Sequence, residues 1–189
     1  MHDQLTIKEG REVLNLARQT IQGHLGLESE TSKIREEAGL AMKCATFVTL
    51  KKDGALRGCI GSLVPDGTIY ESVCRNAVQA AFHDSRFRPL NRREMESIQI
   101  DISILTPPQP LHYKTGDDLL TQLRPKVDGV TIRHGMNSAT FLPQVWKQLP
   151  DPEQFLGQLC RKAGLDTDIW REGLLEVEIY QVQCVKEDA

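Results

Sequence analysis

At 189 residues with 40% hydrophobic side chains, the chain can bury one sizeable core, and two lobes fit where a second independent domain would be cramped. A formal net charge of −3 and a pI near 6.0 argue against a nucleic-acid partner held by a broadly basic surface. The apolar runs are too short and interrupted for a membrane span, and Met1-His2-Asp3-Gln4 lacks the basic and apolar regions of a secretory leader, so a cytoplasmic protein with no membrane association is expected.

Thr6-Ile7-Lys8-Glu9 has the form of a capping box, and Val13, Leu14, Ala17, Ile21 and Leu25 recur at helical spacing, which predicts an amphipathic first helix. After a polar stretch from Glu28 to Glu37, Ala45 to Lys51 is rich in β-branched and aromatic types. Asp53-Gly54 then joins it to Ala55–Leu63 as a β-hairpin. Inside that hairpin, Leu56-Arg57-Gly58-Cys59-Ile60-Gly61 sets a cysteine and an arginine among glycines. Alternation predicts that Arg57, Cys59 and Gly61 share a face, with guanidinium and thiol as neighbours. A two-residue turn would set Val48 opposite Cys59 and Leu50 opposite Arg57.

Pro65-Asp66-Gly67 breaks the strand, and Thr68-Ile69-Tyr70-Glu71 caps a second helix through Val73, Ala77, Ala80, Ala81 and Phe82. Asn91-Arg92-Arg93-Glu94 begins a short helix, followed by a strand in which Ile98, Ile100, Ile102 and Ile104 alternate with polar residues. Pro107, Pro108 and Pro110 end that strand, Thr115 to Leu123 is helical, and Asp128-Gly129 introduces a second hairpin through Val130–Arg133 and Ala139–Leu142. Pro143 fits a helix start, Pro152 to Ala163 forms a helix that Gly164 ends, and Leu174 to Val185 reads as one long alternating strand. Frequent hairpins without a βαβ rhythm predict an α+β fold with a mainly antiparallel sheet.

The five cysteines, Cys44, Cys59, Cys74, Cys160 and Cys184, form no C-x-x-C pair and are expected as reduced thiols. The five histidines lack metal-ligand spacing, so no metal site is expected. Cys59 reads either as a nucleophile or ligand-contacting thiol with Arg57 beside it, or as a small buried hydrophobe. Gly58 and Gly61 either leave room for a substrate or let a helix pack closely. His83 is a candidate proton-transfer group that Asp84 could position, and Arg86 a candidate carboxylate or phosphate binder. His83 also fits the bland role of a cation at a helix end. His134 is a reserve base, and Gln144 and Trp146 line a ligand surface or anchor their segment in the core. These residues do not complete a recognised catalytic set.

Four ordered blocks, Leu56-Arg57-Gly58-Cys59-Ile60-Gly61, Ala80-Ala81-Phe82-His83-Asp84-Ser85-Arg86-Phe87, Phe141-Leu142-Pro143-Gln144-Val145-Trp146 and Cys160-Arg161-Lys162-Ala163-Gly164-Leu165, resemble the AMMECR domain family in its prokaryotic form. The resemblance covers nearly the whole chain. It implies one domain over residues 1–189, α+β, with a larger and a smaller lobe around a cleft associated with the Arg57–Gly61 segment. It implies no settled activity and no particular cofactor. Prokaryotic relatives are often encoded beside a Memo-like protein and a radical SAM protein, which implies a shared pathway or complex. Ser85 stands where the family often has proline, and Gly135-Met136-Asn137-Ser138 replaces a more glycine-rich loop. Two functions fit: a thiol-dependent enzyme acting on a small anionic or peptide substrate through Cys59 and His83, or a non-catalytic module binding such a ligand or a partner protein. In either, Arg57, Gly58, Gly61, Asp84 and Arg86 contact the ligand.

Overall fold

In the computed structural model, which describes residues 4–27 and 38–187, Thr6 caps helix α1 (Ile7–His24) through a reciprocal box. Its hydroxyl accepts the Glu9 amide at 3.3 Å, and the Glu9 carboxylate accepts the Thr6 amide at 2.8 Å. Val13, Leu14, Ala17 and Ile21 are buried, as their spacing requires. The same box at Thr68 and Glu71 opens α2 (Ile69–Val78), which runs into a single π-helical turn over Gln79–His83. The polar stretch from Glu28 to Glu37 lies outside the described residues.

The strands are β1 (Ala45–Lys52), β2 (Ala55–Gly61), β3 (Ile98–Leu105), β4 (Gln109–Leu111), β5 (Gly129–His134), β6 (Asn137–Phe141), β7 (Glu176–Tyr180) and β8 (Val182–Lys186). They form two four-stranded sheets with orders β2-β1-β3-β8 and β4-β7-β5-β6. With helices beside antiparallel sheets, the fold is α+β, as the hairpin-rich pattern predicts.

The chain divides into two compact units, one of residues 1–106 with 183–189, the other of residues 107–182. In the first, α1 and α2 cover one face of the sheet, with Val13, Ala17, Val73 and Ala77 packed in the same core as Val48, Leu50, Ile100 and Ile102. In the second, α3 (Gly116–Gln122) and α4 (Pro152–Lys162) supply Leu119, Phe155, Leu156 and Leu159 to a core with Val130 and Ile132. Trp146 lies flat on Phe155 with ring centroids 3.7 Å apart, and its indole N–H donates to the Asp128 carbonyl at 2.8 Å.

Three sequence expectations change. The single strand expected over Leu174–Val185 breaks at Gln181: β7 pairs with β4 and β5, whereas β8 lies beside β3 in the other sheet. The apolar positions slip by one residue at Ile179-Tyr180, from Val177 and Ile179 to Tyr180, Val182 and Cys184, which is the trace in the sequence of the change of partner. The short helix expected after Asn91 is a turn leading to a 3-10 turn at Met95–Ser97, because the Asn91 side chain accepts the Arg93 and Glu94 amides and tightens the chain. Pro143 likewise opens a 3-10 turn over Pro143–Lys147 that delivers Trp146 to the core. No helix among the described residues is long and apolar enough to cross a membrane.

Candidate functional site

The candidate site is built on the β1–β2 hairpin. Asp53 and Gly54 both have positive φ, 52° and 77°, which suits a two-residue turn matched to strand twist. The register then slips once. Lys51 faces Leu56, but Leu50 faces Gly58, so Arg57 is the extra residue of a β-bulge. This one-residue shift sets Thr49, not Val48, opposite Cys59. Val48 and Leu50 are core residues, so Cys59 stands with Thr49 on the other, polar face, where the Thr49 hydroxyl donates to its sulfur at 3.3 Å. Lys51 and Asp101 pair there at 2.5 Å.

Gly58 permits a close approach. A side-chain carbon at this position would overlap the Ala80 carbonyl of the π-helical turn. At Gly61 the corresponding space holds the Phe47 ring from the opposite strand. Protein atoms therefore fill the space beside both glycines. With the π-helical turn drawn in at Gly58, the chain leaves it in an extended conformation at Asp84 and reaches the outer edge of β2.

Asp84 is buried there and accepts the Cys59 amide at 2.9 Å. Arg86 donates Nε to one carboxylate oxygen at 2.9 Å and Nη2 to the other at 2.7 Å, and its backbone amide adds a bond at 3.1 Å. The Arg86 guanidinium, followed by the amides, holds the Asp84 carboxyl far below the usual carboxylate range. Arg86 Nη2 also donates to the Cys59 carbonyl at 3.2 Å. The Phe87 amide donates to the Asp84 carbonyl at 3.0 Å, so Ser85 occupies the turn position in which proline is favourable and serine is tolerated.

Arg57 is engaged elsewhere. Its Nε and Nη2 bind the two oxygens of Glu94 at 3.2 and 3.1 Å, and Nη2 also reaches the Arg88 carbonyl at 2.9 Å. Glu94 is held below its ordinary range by that guanidinium. The arginine bonded to Cys59 is thus Arg86, through the backbone, while the expected Arg57 faces Glu94. Arg57 Nη1 is buried and has no hydrogen-bond partner among the described residues. Both guanidiniums lie over the Phe87 ring, at 5.9 Å for Arg57 and 5.5 Å for Arg86.

His83 is exposed and makes no hydrogen bond among the described residues, and the Asp84 oxygens expected to orient it are committed to Cys59 and Arg86. His134 lies in the second unit with Nδ1 3.3 Å from the Leu174 carbonyl, Gln144 is exposed there, and Trp146 is core. The sequence pattern does not single out Thr49, Phe87 or Glu94 as site residues. Glu94 reads locally only as a capping residue, and no local pattern links it to Arg57 across 37 positions. Burial pushes the Cys160 thiol up to about 11 and raises that of Cys44, whereas Cys184 is exposed. Among the described residues, no three His, Cys, Asp or Glu side chains are grouped to hold a metal ion.

Comparison with known proteins places this chain in a family. The AMMECR1 profile matches residues 14–185. A protein of Methanothermobacter thermautotrophicus is 34% identical over 187 residues, covering 97% of each chain. One from Methanopyrus kandleri is 34% identical over 196 residues, covering 100% of this chain and 93% of its own. The crystal structure of an uncharacterized protein from Pyrococcus horikoshii superposes with a TM-score of 0.78 at 31% identity, covering 97% of this chain and 94% of that one. The chain belongs to the AMMECR1 family.

Proposed function

We propose that the segment around Cys59, Arg57, Asp84, Arg86 and Phe87 is a recognition site for a small anionic group, such as a carboxylate or phosphate on a metabolite or peptide. The observation that carries this reading is the buried Arg57 Nη1, an N–H donor without an acceptor among the described residues, beside a ring that a second guanidinium also covers. A buried unpaired donor is unfavourable, and a ligand oxygen would relieve it. Recognition without turnover is favoured because the acid–base groups near the thiol are not free to act. Asp84 is ionised and fully bonded, and among the described residues His83 has no bond orienting it. A non-catalytic role also accords with the pathway or complex shared with Memo-like and radical SAM proteins that the family resemblance implies.

Thiol-dependent chemistry at Cys59 is the second reading, favoured by the Thr49 hydroxyl directed at the half-buried sulfur. One experiment separates the two. Site-resolved alkylation with anionic iodoacetate and neutral iodoacetamide is expected to give a rate ratio at Cys59 exceeding that at exposed Cys184 by roughly tenfold, since local positive potential concentrates anions. Arg57→Ala or Arg86→Ala should bring it to the Cys184 ratio. Equal ratios in the unsubstituted protein would overturn anion recognition, and fast modification of Cys59 by both reagents would favour the thiol chemistry.

A further inference from the structure

We infer that Asp84 and Arg86 together stand in for a neighbouring β-strand, closing the edge of β2 against strand addition by a second copy of the chain. β2 is a terminal strand of its sheet, and at its centre the Cys59 N–H and C=O both point away from β1. In an antiparallel pair these groups would meet the C=O and N–H of one opposing residue. Here the Asp84 carboxylate takes the N–H at 2.9 Å and the Arg86 guanidinium donates to the C=O at 3.2 Å. The two side chains are themselves bonded at 2.7 Å, so the ring closes as a ladder rung does.

The second unit treats an edge of its own sheet in another way. Its terminal strand β4 is three residues long and carries Pro110, which offers no N–H to an incoming strand. β2 has no proline and spans seven residues. Removing the clip would leave a longer edge flanked by exposed Leu56, Leu63 and Val64. A second β2 is the occupant this edge fits, because outward-facing backbone groups at Cys59 allow a self-complementary antiparallel pair about a two-fold axis, with Cys59 opposite its own copy. The guard is also asymmetric. Asp84 is fixed with 4% side-chain exposure, while Arg86 at 54% is the part that can swing out.

The test uses the full chain with Arg86→Ala. Light scattering after size exclusion is expected to give a mass that rises with concentration above that of the unsubstituted protein, and mild diamide oxidation to trap a Cys59–Cys59 disulfide. A folded variant whose mass matches the unsubstituted protein at every concentration would overturn the inference, as would association in which the trapped disulfide involves Cys184 and not Cys59. Should Arg86→Ala not fold, amide hydrogen exchange of the unsubstituted protein decides. A Cys59 amide protected like the strand-bonded amides of Gly58 and Ile60 supports the clip, and one that exchanges freely refutes it. No ligand enters either measurement, so failure here and failure of the recognition site remain distinguishable.

Discussion

Asp84 in the first unit and Asp128 in the second are buried carboxylates with side-chain exposures of 4% and 0%, gripped by arginines on the same loop that are 54% and 55% exposed. The local chemistry matches: in each the guanidinium bonds both carboxylate oxygens and the arginine amide bonds one of them. What differs is the reach beyond the loop. Around Asp128 the backbone carbonyl receives the Trp146 indole, so the pair shapes a loop that supports a core. The Asp84 carboxylate instead takes an amide 25 residues away on a strand edge. A buried ion pair is therefore not by itself a functional mark. The long-range bond to Cys59 is what separates one from the other.

The largest effect should come from the second unit's core. Trp146→Ala removes a fully buried ring stacked on Phe155 and strands the Asp128 carbonyl, with an expected loss of about 3–5 kcal/mol in denaturant unfolding. A loss under about 1 kcal/mol, the scale of an ordinary single hydrogen bond, would break the view of the Asp128 loop as a core support.

Asp84→Ala and Asp128→Ala sharpen the contrast. Asp84→Ala leaves two amides and a guanidinium without their acceptor and Asp128→Ala one amide and a guanidinium, each at about 1–3 kcal/mol, toward the low end because both arginines can rehydrate. Stability should fall similarly in the two variants. Exchange of the Cys59 amide and its alkylation by iodoacetamide should rise only in Asp84→Ala, and an equal rise in Asp128→Ala would erase the distinction.

Much of this architecture is legible in the sequence because it rests on local signals. The capping boxes at Thr6 and Thr68, the alternation from Ile98 to Ile104 and the Asp53-Gly54 turn each involve residues within a few positions of one another. The site is less legible because its geometry depends on one inserted residue. The bulge at Arg57 moves Cys59 from a partner in the core to Thr49 on the polar face, and alternation counts residues without detecting a skipped pairing. The exchange of guanidiniums has the same origin. Arg57 finds Glu94 and Arg86 finds Cys59 through tertiary contacts 37 and 27 residues long. The break at Gln181 leaves in the sequence only a one-residue slip of phase at Ile179-Tyr180, and that slip does not say that the two strands join different sheets.

The smallest effects near neutrality concern pH, because the groups involved titrate well away from it, and they divide largely along the two units. In the first, Glu71 is lowered by the Thr68 bonds, Asp84 by Arg86 and Glu94 by Arg57, from ordinary values of 4.5, 3.8 and 4.5. A carboxylate lowered by folding adds stability above its unfolded value, and that stability is lost as pH falls through the folded one, so the first unit should weaken progressively below about 4.5. In the second, burial raises Tyr113, Tyr180 and Cys160, the last from 9.0 to about 11. A raised group adds stability below its unfolded value and loses it as pH climbs, so this unit should weaken between about 9 and 11, with Cys44 of the first unit acting in the same direction. The signals are separable because both tryptophans, Trp146 and Trp170, lie in the second unit, while α1, the longest helix among the described residues, lies in the first. Acid titration should reduce far-ultraviolet helical ellipticity before tryptophan fluorescence shifts, and alkaline titration should reverse that order. Coincident changes on both limbs would mean that the two units lose structure as one, whatever the local titrations favour.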